Sequence, residues 1–271
     1  MRMPDAKALR VLRVFADDTE VGADCRIRLQ GKSTMTCLPD PWQIDIYVPQ
    51  NEDRAALNRC SSVRVLGENN SVLCSGEPAD VLSRRSDGRE VVQVLIMEGE
   101  GFWQSSVSLT LAAGVTVDQT IRALLGRCSS PIPLASSPSL LATIPRAQSF
   151  FGRTADAVDE LARAADCRGW VWQEALWLTK IGDGVPRATI HEEDLLRDPE
   201  SMTGALLCET RMVGLQTGQL VRLDTDNWNG IYRLAAQRID ADNYNGAWSN
   251  SLTLMDETEA GLGVEVWEGI M

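Results

Sequence analysis

Between residues 8 and 104, apolar and polar positions alternate over short runs. In Gln43-Ile44-Asp45-Ile46-Tyr47-Val48 the alternation has the period of a strand with one buried face and one wet face. Residues 9–15, 25–30, 63–66 and 91–97 are of similar length and rich in β-branched side chains. Turn chemistry separates the runs. Gly67-Glu68-Asn69-Asn70 stands between 63–66 and 72–74, and Ser86-Asp87-Gly88 precedes a run over 89–97. Asp-Gly between two alternating runs predicts a hairpin, because both positions tolerate positive φ. This block reads as a small antiparallel barrel or sandwich.

The period changes at residue 105. Thr116 stands as N-cap, with Gln119 three residues on; Ile121, Leu124 and Leu125 form one apolar face, and Gly126 follows. The pattern predicts a helix. A stretch rich in Pro and Ser, residues 129–145 with four prolines, predicts an exposed functional loop or partner contact. A second helix is expected over 154–165, with Thr154 as N-cap and apolar positions at 158, 161, 162 and 165. Residues 170–179 then read as a tight hairpin, which makes this region α+β. After an acidic loop at 191–200 the chain returns to strands over 204–212, 219–223, 230–238 and 248–254. Gly214, Gly218, Asn227, Asn229, Asn243, Asn245 and Gly246 separate them. The acidic, glycine-punctuated tail 257–271 is expected to be weakly ordered alone. The expected fold class is therefore α+β and mainly β, with two small antiparallel β-barrels flanking an α+β insert. The boundaries are 1–104 for the first barrel, 105–195 for the insert, 196–258 for the second barrel and 259–271 for the tail.

Composition narrows the chemistry. The 271 residues carry 26 Lys+Arg against 38 Asp+Glu, a formal charge of −12, which argues against an autonomous nucleic-acid binder. His191 is the only histidine, so Ser-His-Asp, Cys-His, three-His zinc and His-carboxylate iron sites lack their ligands or rest on it alone. The start, charged and broken by Pro4, has no apolar run of leader length, and no 18 consecutive apolar residues predict a membrane span. Cys25, Cys37, Cys60, Cys74, Cys128, Cys167 and Cys208 never come as C-x-x-C, so they carry no zinc or redox signature. They read as small buried hydrophobes of a reducing cytosol, or else as disulfides formed after release from the cell.

Each candidate site has a plainer explanation. His191 beside Glu192, Glu193 and Asp194 has the residue types of a general base or metal ligand, or of an exposed loop. Asp156 with Asp159 and Glu160, Asp224 with Asp226, and Asp240 with Asp242 supply the paired carboxylates a glycosidase needs, in a chain already crowded with acids. Asp224-Thr225-Asp226-Asn227 lacks the glycine and terminal Glu of a calcium loop. Gly31-Lys32-Ser33-Thr34 lacks the earlier glycine of a phosphate loop. Eight dispersed tryptophans fit a stacking platform, or core and interface anchors.

The order of pieces over residues 60–255 resembles the baseplate hub proteins of contractile-tailed bacteriophages, a family related to the N-terminal region of the type VI secretion spike. Val63-Arg64-Val65 through Gly76-Glu77-Pro78 resembles the "V-x-V … l-x-x-G-x-v" hairpin of the first hub barrel. Residues 114–121 are similar to the "t-v-x-q-i-i" helix start, and 153–162 leading into the 170–179 ribbon to the helix and "g-x-x-w" pattern. Residues 215–223 resemble "l-x-P-G-x-x-v-x-l" with Thr217 where that family often has proline, and 230–234 resemble "G-x-y-r-v". Residues 245–254, with Trp248, complete the closing barrel. The resemblance implies a structural signature at Gly76, Gly218, Gly230, Tyr232 and Trp248, and no catalytic, cofactor or metal residue. It also implies a homotrimeric ring that adapts a six-fold tail tube above to a trimeric spike below, beside baseplate wedge components. That places it in the virion tail after synthesis in the host cytoplasm, with DNA passing through the lumen unread. Three chains would carry three times −12, about −36, suited to a conduit that repels phosphate. Two other classes stay open: a tail-associated carbohydrate-active or cell-wall hydrolase using paired carboxylates, and a β-rich glycan-binding adaptor using the tryptophans.

Overall fold

The computed structural model describes residues 11–86, 88–136, 142–180, 182–244 and 248–256. The chain start, Asp87 of the expected Asp-Gly turn, part of the Pro/Ser loop, Asn245 and Gly246, and the acidic tail lie outside the described residues.

The first part folds as β1 (Arg13–Ala16), β2 (Thr19–Val21), β3 (Arg26–Thr34), β4 (Asp40–Tyr47), α1 (Asn51–Leu57), β5 (Val63–Leu66), β6 (Val72–Ser86) and β7 (Arg89–Glu98). Alternation in sequence becomes alternation in burial. On β4, Trp42, Ile44 and Ile46 enter the core, while Gln43 and Tyr47 keep contact with solvent. Val14, Ile27, Leu29, Val63, Val65, Val92, Val94 and Ile96 complete the same cluster. Each such side chain stabilises the fold by about 1.5–3 kcal/mol on burial. The turn at 67–70 holds Asn69 and Asn70 at φ of 56° and 58°, as its Asn content predicts. Ser86 pairs with Arg89 across the expected hairpin, with Gly88 at φ 75°.

The middle region comprises α2 (Glu100–Gln104), β8 (Ser106–Leu111), α3 (Val117–Leu125), β9 (Leu134–Ser136), β10 (Gln148–Arg153), α4 (Thr154–Ala164), β11 (Cys167–Trp172) and β12 (Ala175–Lys180). The capping box on α3 forms as read: Thr116 Oγ1 accepts from the Gln119 amide at 3.2 Å, and Gln119 Oε1 accepts from the Thr116 amide at 3.0 Å. On α4 the cap shifts by one residue. Arg153 is the N-cap and Thr154 is the first helical residue, because its N–H is taken by the Ser105 carbonyl at 2.8 Å and its side chain is buried. Ile121, Leu124, Val158, Leu161, Phe102, Phe150 and Leu176 form this region's own core. The β11–β12 hairpin turns on Gln173 and Glu174, both at positive φ without a glycine.

The last part contains β13 (Pro186–His191), β14 (Leu195–Met202), β15 (Ala205–Thr210), β16 (Leu220–Asp224), β17 (Asn229–Asp242) and β18 (Trp248–Asp256). The acidic loop expected at 191–200 is instead the end of β13, a 3-10 turn and most of β14. As a bulged edge strand with Pro199 and mostly exposed side chains, β14 offers no alternation to read.

Thirteen strands join one sheet, in the order β14-β15-β18-β17-β3-β4-β7-β6-β5-β1-β2, with β16 and then β13 branching from β17. β17 makes the joint. Its residues 229–233 pair with β16, a bulge falls at Leu234–Ala236, and Ala236–Asp242 pair with β3. Ile239 and Ala241 therefore enter the first core, while Leu234 joins Ile190, Val221, Leu223, Leu252 and Leu254 in another. A buried polar knot marks the joint. Asn250 donates to Gln237 at 3.2 Å, and Gln237 donates to the Leu215 carbonyl at 3.0 Å and to Thr217 Oγ1 at 3.4 Å. A buried polar network of this kind favours one register between two apolar cores.

Candidate functional site

The catalytic candidates do not converge. Parallel pairing of β13 and β16 sets His191 opposite Asp224, with Nδ1 3.5 Å from Oδ2, but both side chains are about half exposed, at 49% and 48%. Asp194 Oδ2 accepts from the His191 amide at 2.9 Å, and Glu192 accepts from the Asp226 amide at 3.3 Å, so both acids order a surface turn. Asp159 pairs with Arg163 one turn along α4. Asp240 is held by Arg28 at 3.0 Å, and Asp242 by Arg26 at 2.5 Å. Among the described residues no group of three or more His, Cys, Asp or Glu is placed to hold a metal ion. The seven thiols are free; Cys37, Cys74, Cys167 and Cys208 are buried, and burial pushes Cys208 up to about 11.

Two acids that sequence reasoning passed over are the most perturbed. Asp40 and Glu98 face each other across β4 and β7, and both are buried. Desolvation pushes Asp40 up to about 7, against amide and hydroxyl hydrogen bonds from Thr34 that lower it. Desolvation likewise pushes Glu98 up to about 8, against a 2.5 Å hydrogen bond from the Gln173 amide. Glu98 thus clasps the β11–β12 turn to the main sheet. Pro39-Asp40-Pro41 and Glu98-Gly99 read as turn residues, which is why no signal marked them.

The expected signature residues lie apart. Gly76 sits where β6 leaves β5 for β7, and a Cβ there would stand 2.8 Å from Ile96 Cγ2. Gly218 has φ 85°, and a Cβ would stand 2.0 Å from the Trp170 ring. Gly230 pairs with Leu223, Tyr232 packs on the last part's core, and Trp248 is buried in the first core. Trp42, Trp170, Trp172 and Trp248 are inside the chain rather than on its surface, because each fills a core position between strands. These four are core anchors, one of the two roles expected of the dispersed tryptophans.

What remains outside is suited to contact. The β14 edge exposes Leu196 and Met202, and β17 exposes Ile231. The outer face around the joint is a mosaic: Arg26–Asp242, Arg28–Asp240 and Arg84–Asp45 alternate with Lys32 opposite Arg238. It is not a uniformly acidic stripe. Beside it, a cleft of about 340 Å3 opens between the β11–β12 ribbon and the turn before β16.

No family model matches the sequence, and no curated protein matches it. Solved structures do match the fold. A tail protein from Neisseria meningitidis superposes with a TM-score of 0.70 at 12% identity, over 91% of this chain and 96% of that one. The 43 kDa tail protein of prophage MuSo2 from Shewanella oneidensis gives 0.66 at 7% identity, over 92% and 98%. The E. coli c3393 protein, a type VI secretion component described as similar to the T4 tail proteins gp27 and gp5, gives 0.59 at 11% identity, over 90% and 76%. The chain therefore has the fold of phage tail proteins. That fold agrees with the one implied by the resemblance over residues 60–255.

Proposed function

We propose that this protein is a structural component of a phage tail, the baseplate hub. The observation that carries the reading is the match of nearly the whole chain to nearly the whole of two tail proteins. In this reading three copies form a ring whose two β units per chain imitate the six-fold tube above. The ring accepts a trimeric spike below, adjoins wedge components and lets DNA pass through without sequence recognition. The site is the virion tail, and no reaction is catalysed.

Physical chemistry supports the reading from two sides. The sheet leaves β2, β13 and β14 as ends, and exposed Leu196 and Met202 on β14 gain by being covered. Closed cyclic symmetry satisfies all such edges at once. The sheet shared through β17 also ties the two β units together, as a load-transmitting ring requires. No observation favours the hydrolase over this; of its carboxylates, Glu192 is engaged in a surface turn, and Asp240 and Asp159 in ion pairs. Imaging of the purified chain, alone and with its spike, tests the reading. Threefold rings with a central channel are expected; particles without threefold symmetry in both samples contradict it.

A further inference from the structure

Two buried acids fasten the β11–β12 ribbon and the loop packed against it to the main sheet. Glu98 ends β7 and Asp40 begins β4; they face each other in register, at 1% and 3% exposure. Glu98 accepts from the Gln173 amide in the ribbon turn at 2.5 Å. Asp40 accepts from the Thr34 amide at 2.7 Å and so closes the 34–40 loop. That loop sends Met35 in among the ribbon tryptophans and Cys37 into the core of the middle region. Each carboxyl therefore holds one crossing between the two regions.

The surroundings of the pair are nearly all of one sign. Burial, then Asp40 of β4 and Glu174 of the ribbon, oppose a charge on Glu98, while the neutral donors Gln173 and Trp42 favour it. Burial and Glu98 push up the Cys74 thiol of β6, and burial and Glu77, also of β6, push up Glu174. Burial opposes a charge on Asp40 as well, against hydrogen bonds from Thr34 and the charge of Lys32 on β3. Two facing buried carboxyls without a paired counter-ion hold their protons, because burial and mutual repulsion both disfavour charge. The turn that Glu98 holds is also strained, with Gln173 and Glu174 at φ of 50° and 57° and no glycine.

We propose that Glu98, backed by Asp40, is a proton-operated latch. Protonated, it keeps the ribbon turn seated on the main sheet; ionised, it is hydrated by the lifting of that turn while the sheet stays folded. Proton balance fixes the direction. With the turn lifted, Glu98 regains its ordinary value of 4.5, whereas with the turn seated it keeps its proton up to about 8. Lifting therefore releases one proton, and each pH unit between these values favours the open turn about tenfold. Asp40 adds to this slope only where the 34–40 loop opens too.

The latch is a property of a single chain, so it is independent of the tail reading. Amide hydrogen exchange of the 15N-labelled full chain from pH 5 to pH 8, without urea and in low urea, tests it. Protection of the Gln173 amide, corrected for the intrinsic exchange rate, is expected to fall about tenfold per pH unit and to ignore urea, as a local opening does. The Val94 amide, in the middle of β7, is expected to exchange only through a rarer opening that urea promotes. In Glu98→Gln, which keeps an oxygen for the Gln173 amide, the pH slope at Gln173 is expected to flatten. In Asp40→Asn, which removes the opposing charge, the slope is expected to end at lower pH. Gln173 protection that is level over this range, that responds to urea as Val94 does, or that keeps its slope in Glu98→Gln overturns the proposal.

Discussion

Replacing Glu98 by glutamine removes a charge from the interior while keeping an oxygen to accept from the Gln173 amide. The folded carboxyl is pushed up to about 8 from an ordinary 4.5, chiefly by desolvation. The folded state therefore holds a proton that the unfolded chain has lost, so stability falls as pH rises from about 4.5 and levels off above about 8. At about 1.4 kcal/mol per pKa unit, the full effect is about 5 kcal/mol. Asp40, opposite on β4 and pushed up to about 7, acts in the same direction over the lower part of that window. The two carboxyls titrate as a pair; Lys32 favours the Asp40 charge, while Glu174 and Asp40 oppose that of Glu98. Asp17 and Glu20 are lowered by hydrogen bonds from Ser61 and Arg13, so what they contribute is lost only in acid, below this window. Urea unfolding at pH 5, 7 and 9 measures the slope. The wild type is expected to lose a few kcal/mol between pH 5 and 9, and Glu98→Gln to lose much less and to be the more stable protein at pH 9. A wild-type stability that is flat over this range, or a variant with the wild-type slope, refutes the reasoning.

Gly218→Ala drives a Cβ into the Trp170 ring at φ 85° and is expected to cost about 3 kcal/mol in a urea midpoint measurement. Gly88→Ala, at φ 75° with open space around it, is expected to cost only about 1 kcal/mol in the same measurement. Thr116→Ala removes the α3 capping box and should lower stability by about 1 kcal/mol. Asp156→Asn and Glu192→Gln, at exposed positions, are expected to change stability by less than about 0.5 kcal/mol and to leave assembly unaltered, read by unfolding and by particle imaging.

Strands with one face in a core were legible: the alternation over 43–48 is β4, and Thr116 and Gln119 cap α3 as their spacing says. Strands without an apolar face were not. β14 carries Arg197, Asp198, Pro199 and Glu200 on an edge, and β10 exposes Phe151, so neither shows a buried periodicity. The joint was also invisible, because β3 and β17 meet with Arg28 opposite Asp242 across more than 200 residues of chain, and no local pattern records such a pairing. Gly218 stood out by its place in a motif, yet its physical reason, the Trp170 ring packed against it, comes from a distant hairpin. Asp40 and Glu98 sit beside Pro and Gly, where acids are ordinary, and only the fold turns them inward.

Whether the chain forms a threefold ring is decided by its molar mass in solution from light scattering, alone and with its spike partner. The expected particle contains three chains, about three times the 29.7 kDa of one. A chain that stays at 29.7 kDa at every concentration, and that adds no ring to the spike, contradicts it.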